Sequence, residues 1–267
     1  MTVEDEKPAA QAYAAGLVGP VLTDLAERRV VITGAGRGLG SVLAAAFDAA
    51  GAKLALVARS KSALEGVAGQ LAGAHLVCPG DIRDELFNET VAERMTERFG
   101  GIDVWIANAG VSREDPDITR LPAAGWREVI DTNLTGTFLG ARAAAARMGA
   151  GGRIIVTGSV LGDRPHGRLA AYSASKGGVH ALVRSLAQDL GPRGITANAV
   201  ALGWFDTGLG DFWHRDESRE RDIAEHTALG RWGTSADLPG VYLFLASAAS
   251  AYITGTTITV DGGYSLL

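Results

Sequence analysis

Short apolar runs alternate along the chain with longer stretches in which apolar residues recur every three or four positions. From Arg29, RRVVITG reads as a buried strand ending in glycine, and LGSVLAAAFDAAG as the helix that follows it. AKLALVA, AHLVC and IDVWIANAG read as further strands, separated by the helical stretches SALEGVAGQLAG and DELFNETVAERMTERFG. A long helix is expected from about Ala123 to Met148, then a strand at GRIIVTG, a helix from about Ala171 to Leu190 and a strand at ITANAVA. Residues 203–231 break the rhythm and read as irregular. A helix from about Ala236 to Ala246 and a strand at TTITVDG close the chain. Such alternation predicts the α/β class: a doubly wound parallel sheet of about seven strands with helices on both faces. Residues 1–22 carry no period and are expected to form an N-terminal extension. Nothing divides residues 23–267, so a single domain is expected there.

Composition leaves that picture intact. The chain has 267 residues, 47% apolar and 21% charged, which suits a globular domain with a sizeable core. The formal net charge is −5 and no basic block stands out, which argues against nucleic acid as a partner. The opening MTVEDEKPAA has no apolar centre, so no secretory signal is expected. The apolar stretch from Leu238 to Val260 is interrupted by Gly, Ser and Thr, so no membrane partner is expected either. The one cysteine, Cys78, sits in an apolar run and reads as a structural thiol, which fits a cytoplasmic setting. No metal site is read.

Chemistry enters where the first strand runs into Thr33-Gly34-Ala35-Gly36-Arg37-Gly38-Leu39-Gly40. Glycines at a strand-to-helix turn let a pyrophosphate approach the backbone, and the helix start offers it free N–H groups. A plain glycine-rich turn is the other reading. The second strand ends at Ala58-Arg59, where an NAD-binding chain tends to place a carboxylate for the ribose hydroxyls. Arg59, with Arg37 in the glycine loop, suits a 2′-phosphate, so NADP(H) is the expected cofactor and NAD(H) the second choice. Solvated surface arginines are the alternative.

The spacing of Gly34, Gly38 and Gly40 resembles the short-chain dehydrogenase/reductase family, and the resemblance runs from about Leu25 to Tyr264. It implies a Rossmann-type fold and a role for further residues. Gly80-Asp81-Ile82 resembles the loop whose acid and following residue hold the adenine, although Asp81 reads equally as a helix N-cap. Asn108-Ala109-Gly110 matches the element beside the cofactor ribose. Gly203 and Phe205 lie in the nicotinamide loop, and Thr207 would hold the nicotinamide amide. Leu202 stands where the family usually has proline, which predicts a less rigid turn. A homotetramer, or at least a dimer, is also implied. The run Ala141–Ala146 and the strip Val179, Leu182 and Leu186 are expected to pack across a two-fold axis.

Tyr172 and Lys176 are four residues apart, on one face of a helix. Ser159 precedes Tyr172 by thirteen residues at the end of an apolar strand, and Asn133 precedes both. Order and spacing resemble the family's Asn-Ser-Tyr-Lys tetrad. Hydride addition to a carbonyl leaves an alkoxide to be protonated, and oxidation needs the reverse. A tyrosine can do this once its pKa falls from about 10, which a nearby ammonium such as Lys176 favours. Ser159 can hydrogen-bond the substrate oxygen. By the family pattern, Lys176 holds the nicotinamide ribose and Asn133 a water that links Lys176 to solvent.

Residues 203–231 are where the family places a substrate lid. Trp204, Leu209, Phe212 and Trp213 there are expected to cover an apolar substrate, or else to pack two short helices together. Leu161 and His166, in the loop after Ser159, are further substrate candidates, as is Arg113. The expected function is hydride transfer between NADP(H) and a small carbonyl or secondary alcohol. A same-fold dehydratase or epimerase, or a non-catalytic NADP(H)-binding sensor, is the alternative.

Overall fold

The computed structural model describes residues 24–114, 116–206 and 217–266. Alternation along the strands sorts their side chains into two cores. β1 (Arg29–Thr33) sends Val30 and Ile32 to one core and Val31 to the other. β4 (Val104–Ala107) does the same with Val104 and Ile106 against Trp105 and Ala107. With β2 (Lys53–Ala58), β3 (His75–Pro79), β5 (Arg153–Ser159), β6 (Thr196–Leu202) and β7 (Thr257–Val260) they form one seven-stranded parallel sheet. The strand order is β3-β2-β1-β4-β5-β6-β7. The first core is closed by α1 (Gly38–Ala49), through Leu43 and Phe47, and by α8 (Pro239–Ala246), through Tyr242 and Leu243. The second is closed by α3 (Glu85–Phe99), α5 (Gly136–Ala145) and α6 (Ala170–Leu190). The doubly wound class, with helices on both faces, is thus as expected. Cys78 is fully buried in the second core.

Chain order reverses between β1 and β4, and in such sheets the carboxyl ends of the strands splay apart at that point into a crevice. Leu202 is the last rung of β6, paired with Ser159 on one side and Val260 on the other. Its side chain lies in the first core. The residue that replaces the family's usual proline is therefore anchored on both sides as the last residue of β6.

Three further expectations are corrected. The long helix is not uniform: α4 (Ala123–Ile130) passes through a π-helical turn, Asp131–Thr135, before α5 begins. The segment read as irregular contains α7 (Glu217–Glu225). Its sequence ESRERDIAE has too few apolar residues to show a stripe, and only Ile223 is buried among its described side chains. The strips expected to meet a partner are largely spent inside the chain. Ala141, Ala144 and Val179 are fully buried in the second core, because α5 and α6 press directly on the sheet. No helix among the described residues is long and apolar enough to cross a membrane.

The glycine loop is set by sterics. Gly34 has φ +71, and a Cβ on Gly40 would lie 2.1 Å from the Gly34 carbonyl oxygen. Both partners are backbone, so neither yields without moving the strand-to-helix turn. Gly40→Ala should destabilise the protein by about 1–3 kcal/mol, as overpacking does. Thermal unfolding checks this; a variant as stable as the parent would show that α1 can slide away from β1.

Candidate active site

One cleft runs along the carboxyl ends of the strands, lined chiefly by the loops that follow them. Gly34, Arg37, Gly38, Leu39 and Gly40 line it after β1. Ala58 and Arg59 line it after β2, and Asp81 and Ile82 after β3. Asn108, Ala109 and Gly110 follow β4, and Gly203, Trp204 and Phe205 follow β6. Ser159, Leu161, Tyr172 and Lys176 complete the expected residues that reach it. Asn133 lies behind the cleft. His166 is not brought in: it is exposed, with Nδ1 2.7 Å from the Gly167 carbonyl oxygen. Arg113 does not line the cleft and pairs with Glu128 at 3.6 Å. Thr207, Leu209, Phe212 and Trp213 lie outside the described residues, as do residues 1–22.

The glycine loop fits a dinucleotide phosphate. α2 (Lys61–Ala68) and α3 are capped by side chains, Ser60 accepting from the Ala63 N–H and Asp84 from the Phe87 N–H. α1 begins without a side-chain cap and without an acid in its first turn. Its first N–H groups therefore face the cleft without a side-chain acceptor, which is what an anion requires. At the far end, Arg37 and Arg59 are exposed on the rim. Asp81 is not a helix cap, since Asp84 takes that place. It instead accepts the Arg83 N–H at 2.9 Å and pairs with the Arg83 guanidinium at 2.5 Å. The Arg83 guanidinium holds the Asp81 carboxyl below the usual range, and Arg59 adds to the effect.

Ser159, Tyr172 and Lys176 meet at the buried end. The Ser159 hydroxyl lies on the Tyr172 side of the cleft and favours the ionised form of the phenol. Ser159 Oγ also accepts the Leu161 N–H at 3.2 Å, so the turn after β5 fixes the hydroxyl in place. Lys176 Nζ donates to the Thr157 carbonyl at 2.7 Å and sits 5.7 Å from the Tyr172 ring centroid. Asn133, in the π-helical turn, accepts the Val111 N–H at 2.8 Å and donates to the Val111 carbonyl and to Ser175 Oγ, both at 3.0 Å. The side chain thus ties the loop after β4 to α6, and the Asn133 main-chain carbonyl accepts the Thr137 hydroxyl at 2.7 Å.

Burial sets the protonation of this corner. It pushes the Tyr172 phenol up, opposed only by the Ser159 hydroxyl, and it pulls Lys176 down to about 8. Lys176 is not among the groups that shift Tyr172; burial sets the direction for the phenol. Motif reading also misses Arg83, Val111, Ser112, Leu169 and Trp232, which line the cleft. Val111 and Ser112 directly follow Asn-Ala-Gly, and Trp232 stands beside Gly233, so neighbourhood to a motif or a glycine was the available signal. No His, Cys, Asp and Glu cluster fit for a metal occurs among the described residues.

A family model described as Enoyl-(Acyl carrier protein) reductase matches residues 34–265. The 3-oxoacyl-[acyl-carrier-protein] reductase FabG of Escherichia coli (strain K12) is 34% identical over 235 residues, covering 87% of this chain and 95% of that protein. The glucose 1-dehydrogenase of Gluconobacter oxydans (strain 621H) is 34% identical over 254 residues, covering 92% and 95%. The crystal structure of a short-chain type dehydrogenase/reductase from Mycobacterium marinum superposes with a TM-score of 0.84 at 34% identity, covering 92% of this chain and 98% of that one.

Lys176 allows a test that needs no substrate. Its folded-state pKa, about 8, lies below the ordinary 10.5. Between those values the unfolded chain holds a proton that the folded chain has released, so this group's contribution to stability rises with pH across that window. The full gain is on the order of 3 kcal/mol. Lys176→Met removes the buried charge. Its stability advantage over the parent should therefore shrink as pH is raised from about 8 to about 10.5. Denaturant unfolding across that range reads it out, and a difference independent of pH would show that the ammonium is not desolvated.

Proposed function

We propose that this chain, which belongs to the short-chain dehydrogenase/reductase family, transfers a hydride between NADP(H) and a carbonyl or secondary alcohol, with Tyr172 as general acid and base. The observation that carries this reading is that Ser159, Tyr172 and buried Lys176 line one cleft, with Lys176 Nζ 5.7 Å from the Tyr172 ring centroid. When bound, the nicotinamide ring supplies or accepts the hydride. Ser159, already accepting the Leu161 N–H, donates its proton to the substrate oxygen. Tyr172 delivers a proton to that oxygen in reduction and removes one in oxidation. Lys176 would hold the nicotinamide ribose hydroxyls, and Asn133 braces the loop after β4, beside which that ribose would lie. The named relatives attach carbonyl or alcohol chemistry to a 3-oxoacyl group and to glucose.

The choice of NADP(H) over NAD(H) is supported by three guanidinium groups, of Arg37, Arg59 and Arg83, on the adenosine side of the cleft. The one carboxylate among them, Asp81, is already matched by Arg83. The rim therefore favours a dianionic phosphate. Residues 203–231 serve as the substrate lid in this reading, and the enzyme is a cytoplasmic homotetramer. Leu86 on α3 and Phe138 on α5, 69% and 41% exposed, support a partner surface there.

Two substitutions test the reading. Tyr172→Phe should keep cofactor affinity and lose roughly a hundred- to ten-thousand-fold in turnover with a reducible ketone. Turnover within a few-fold of the parent would assign the proton to another group. Arg59→Ala should weaken NADPH roughly ten- to a hundred-fold, by the loss of one charge-assisted hydrogen bond. NADH affinity should change little. Fluorescence titration measures both; a parent that prefers NADH, or equal losses for the two cofactors, would remove Arg59 from cofactor recognition.

A further inference from the structure

The part of the cleft beyond Ser159 and Tyr172 differs in character from the rest. Its walls are Val111, Val160, Leu161, Leu169, Trp204 and Trp232. The same side chains, with buried Ile223 and with Tyr264, form a third apolar cluster separate from the two sheet cores. Apart from the reacting pair, Ser112 and Thr132 bring the only side-chain hydroxyls near this side of the cleft among the described residues, and no charged side chain there lines it.

The aromatic wall is built rather than incidental. Phe205 and Gly233 form a parallel bridge, with the Gly233 N–H donating to the Trp204 carbonyl at 2.8 Å and the Asp206 N–H to the Gly233 carbonyl at 2.9 Å. Trp204 and Trp232 are therefore held at adjoining places, their rings 5.7 Å apart and inclined by 65°. Tyr264 meets Trp204 edge-on from the other side at 6.1 Å. The chain carrying Tyr264 is itself pinned, since the Asp261 carboxylate accepts the N–H groups of Gly263 at 2.9 Å and Ser265 at 2.8 Å. Two rings line the cleft and a third, Tyr264, packs on one of them, each on a segment fixed by backbone bonds, which makes a stiff apolar surface.

We propose that the carbonyl reaches Tyr172 on a compact apolar ring system, an alicyclic or aryl ketone, and that Trp204 and Trp232 set this specificity. The inference rests on the carbonyl chemistry proposed above. A polyol would bury several hydroxyls against Val, Leu and Trp side chains with too few partners to satisfy them. A carrier-bound acyl chain would need a cation for the phosphate of its arm. Arg113 and Arg168, next in sequence to Ser112 and Leu169, are each matched by a carboxylate, Glu128 at 3.6 Å and Glu114 at 3.0 Å. A flexible chain also loses more freedom against a stiff wall than a ring does.

The test compares 2-decalone, fructose and acetoacetyl-CoA as substrates for the full-length enzyme with NADPH. kcat/KM for 2-decalone should exceed the other two by about a hundred-fold or more. Trp204→Ala should lower kcat/KM for 2-decalone at least roughly ten-fold more than it lowers that for butanone. Trp232→Leu should act in the same direction, should the first variant fold poorly. Preference for the sugar or the thioester, or equal losses on all ketones, would overturn the inference. If no carbonyl compound consumes NADPH, the hydride-transfer reading fails, and calorimetric titration of 2-decalone and fructose into the NADP+-loaded protein decides the pocket separately. Heat from 2-decalone alone supports the apolar ring; no heat from it, or binding of fructose, overturns it.

Discussion

Thr33 and Asn108 join β1 to β4 at the place where the sheet reverses its winding, and the cleft depends on that junction. Thr33 Oγ1 accepts the N–H groups of Asn108 and Ala109, each at 3.0 Å, and donates to the Ile106 carbonyl at 3.3 Å. Asn108 Nδ2 returns a bond to the Thr33 carbonyl at 3.0 Å, while its Oδ1 accepts from Thr157 Oγ1 at 3.2 Å. Thr157 in turn pairs with Tyr242 at 2.8 Å, and its carbonyl receives Lys176 Nζ. A buried polar network is stabilising when each member is satisfied and costly when one is not. Here one network runs from the glycine loop through two strand ends to the ammonium group, so the position of Lys176 is tied to the geometry of the phosphate-facing turn. The Asn108 side chain spends one amide hydrogen and one oxygen lone pair on the strand junction.

The two ends of the cleft obey different electrostatics. Lys176 and Tyr172 are withdrawn from water, and burial moves both toward their neutral forms. A neutral phenol has a proton to give, as the proposed carbonyl reduction would require of Tyr172. Hydrogen bonds in such a dry corner are also stronger than on a wet surface. At the adenosine end the arginines stay exposed, where a point charge is screened and only paired, directional bonds discriminate. Exposed guanidinium groups and the buried Ser159–Tyr172–Lys176 corner are thereby separated along one groove.

Much of this was legible in the sequence. The strands could be read because each is a short apolar run ending at a glycine, alanine or polar residue, and the Ser159–Tyr172–Lys176 spacing could be read because a strand end and a helix face fix it. The π-helical turn could not be read. Asp131–Thr135 has no composition that distinguishes it from ordinary helix, and the wider turn is held by Asn133 bonding across to Val111. α7 was missed because a helix anchored by few apolar residues leaves no period to detect. The alanine run of α5 was misassigned for a different reason. Small residues permit close approach to anything, and here the sheet, through Trp105 in the same core, takes that space. The aromatic wall lay beyond motif reading because Trp204, Trp232 and Tyr264 come from three distant segments.

Ser159 shows how much of a site is set by what lies behind it. His180, one turn beyond Lys176 on α6, is 2% exposed and packs beneath the turn that carries the serine. A Cβ on Gly158 would come 2.6 Å from His180 Nε2, and one on Gly162 would come 2.9 Å from its Cε1. The chain passes over the imidazole only because both residues lack side chains. Asp163, whose carboxylate lies 3.1 Å from His180 Nδ1, closes the same turn from the solvent side. The serine hydroxyl is thus placed by a ring, two glycines and a carboxylate, none of which touches the reacting atoms. Gly158 lines the cleft through its backbone, but a side chain there would press on His180 behind it. It would lift Ser159 from below, and the distance between the Ser159 and Tyr172 hydroxyls would change.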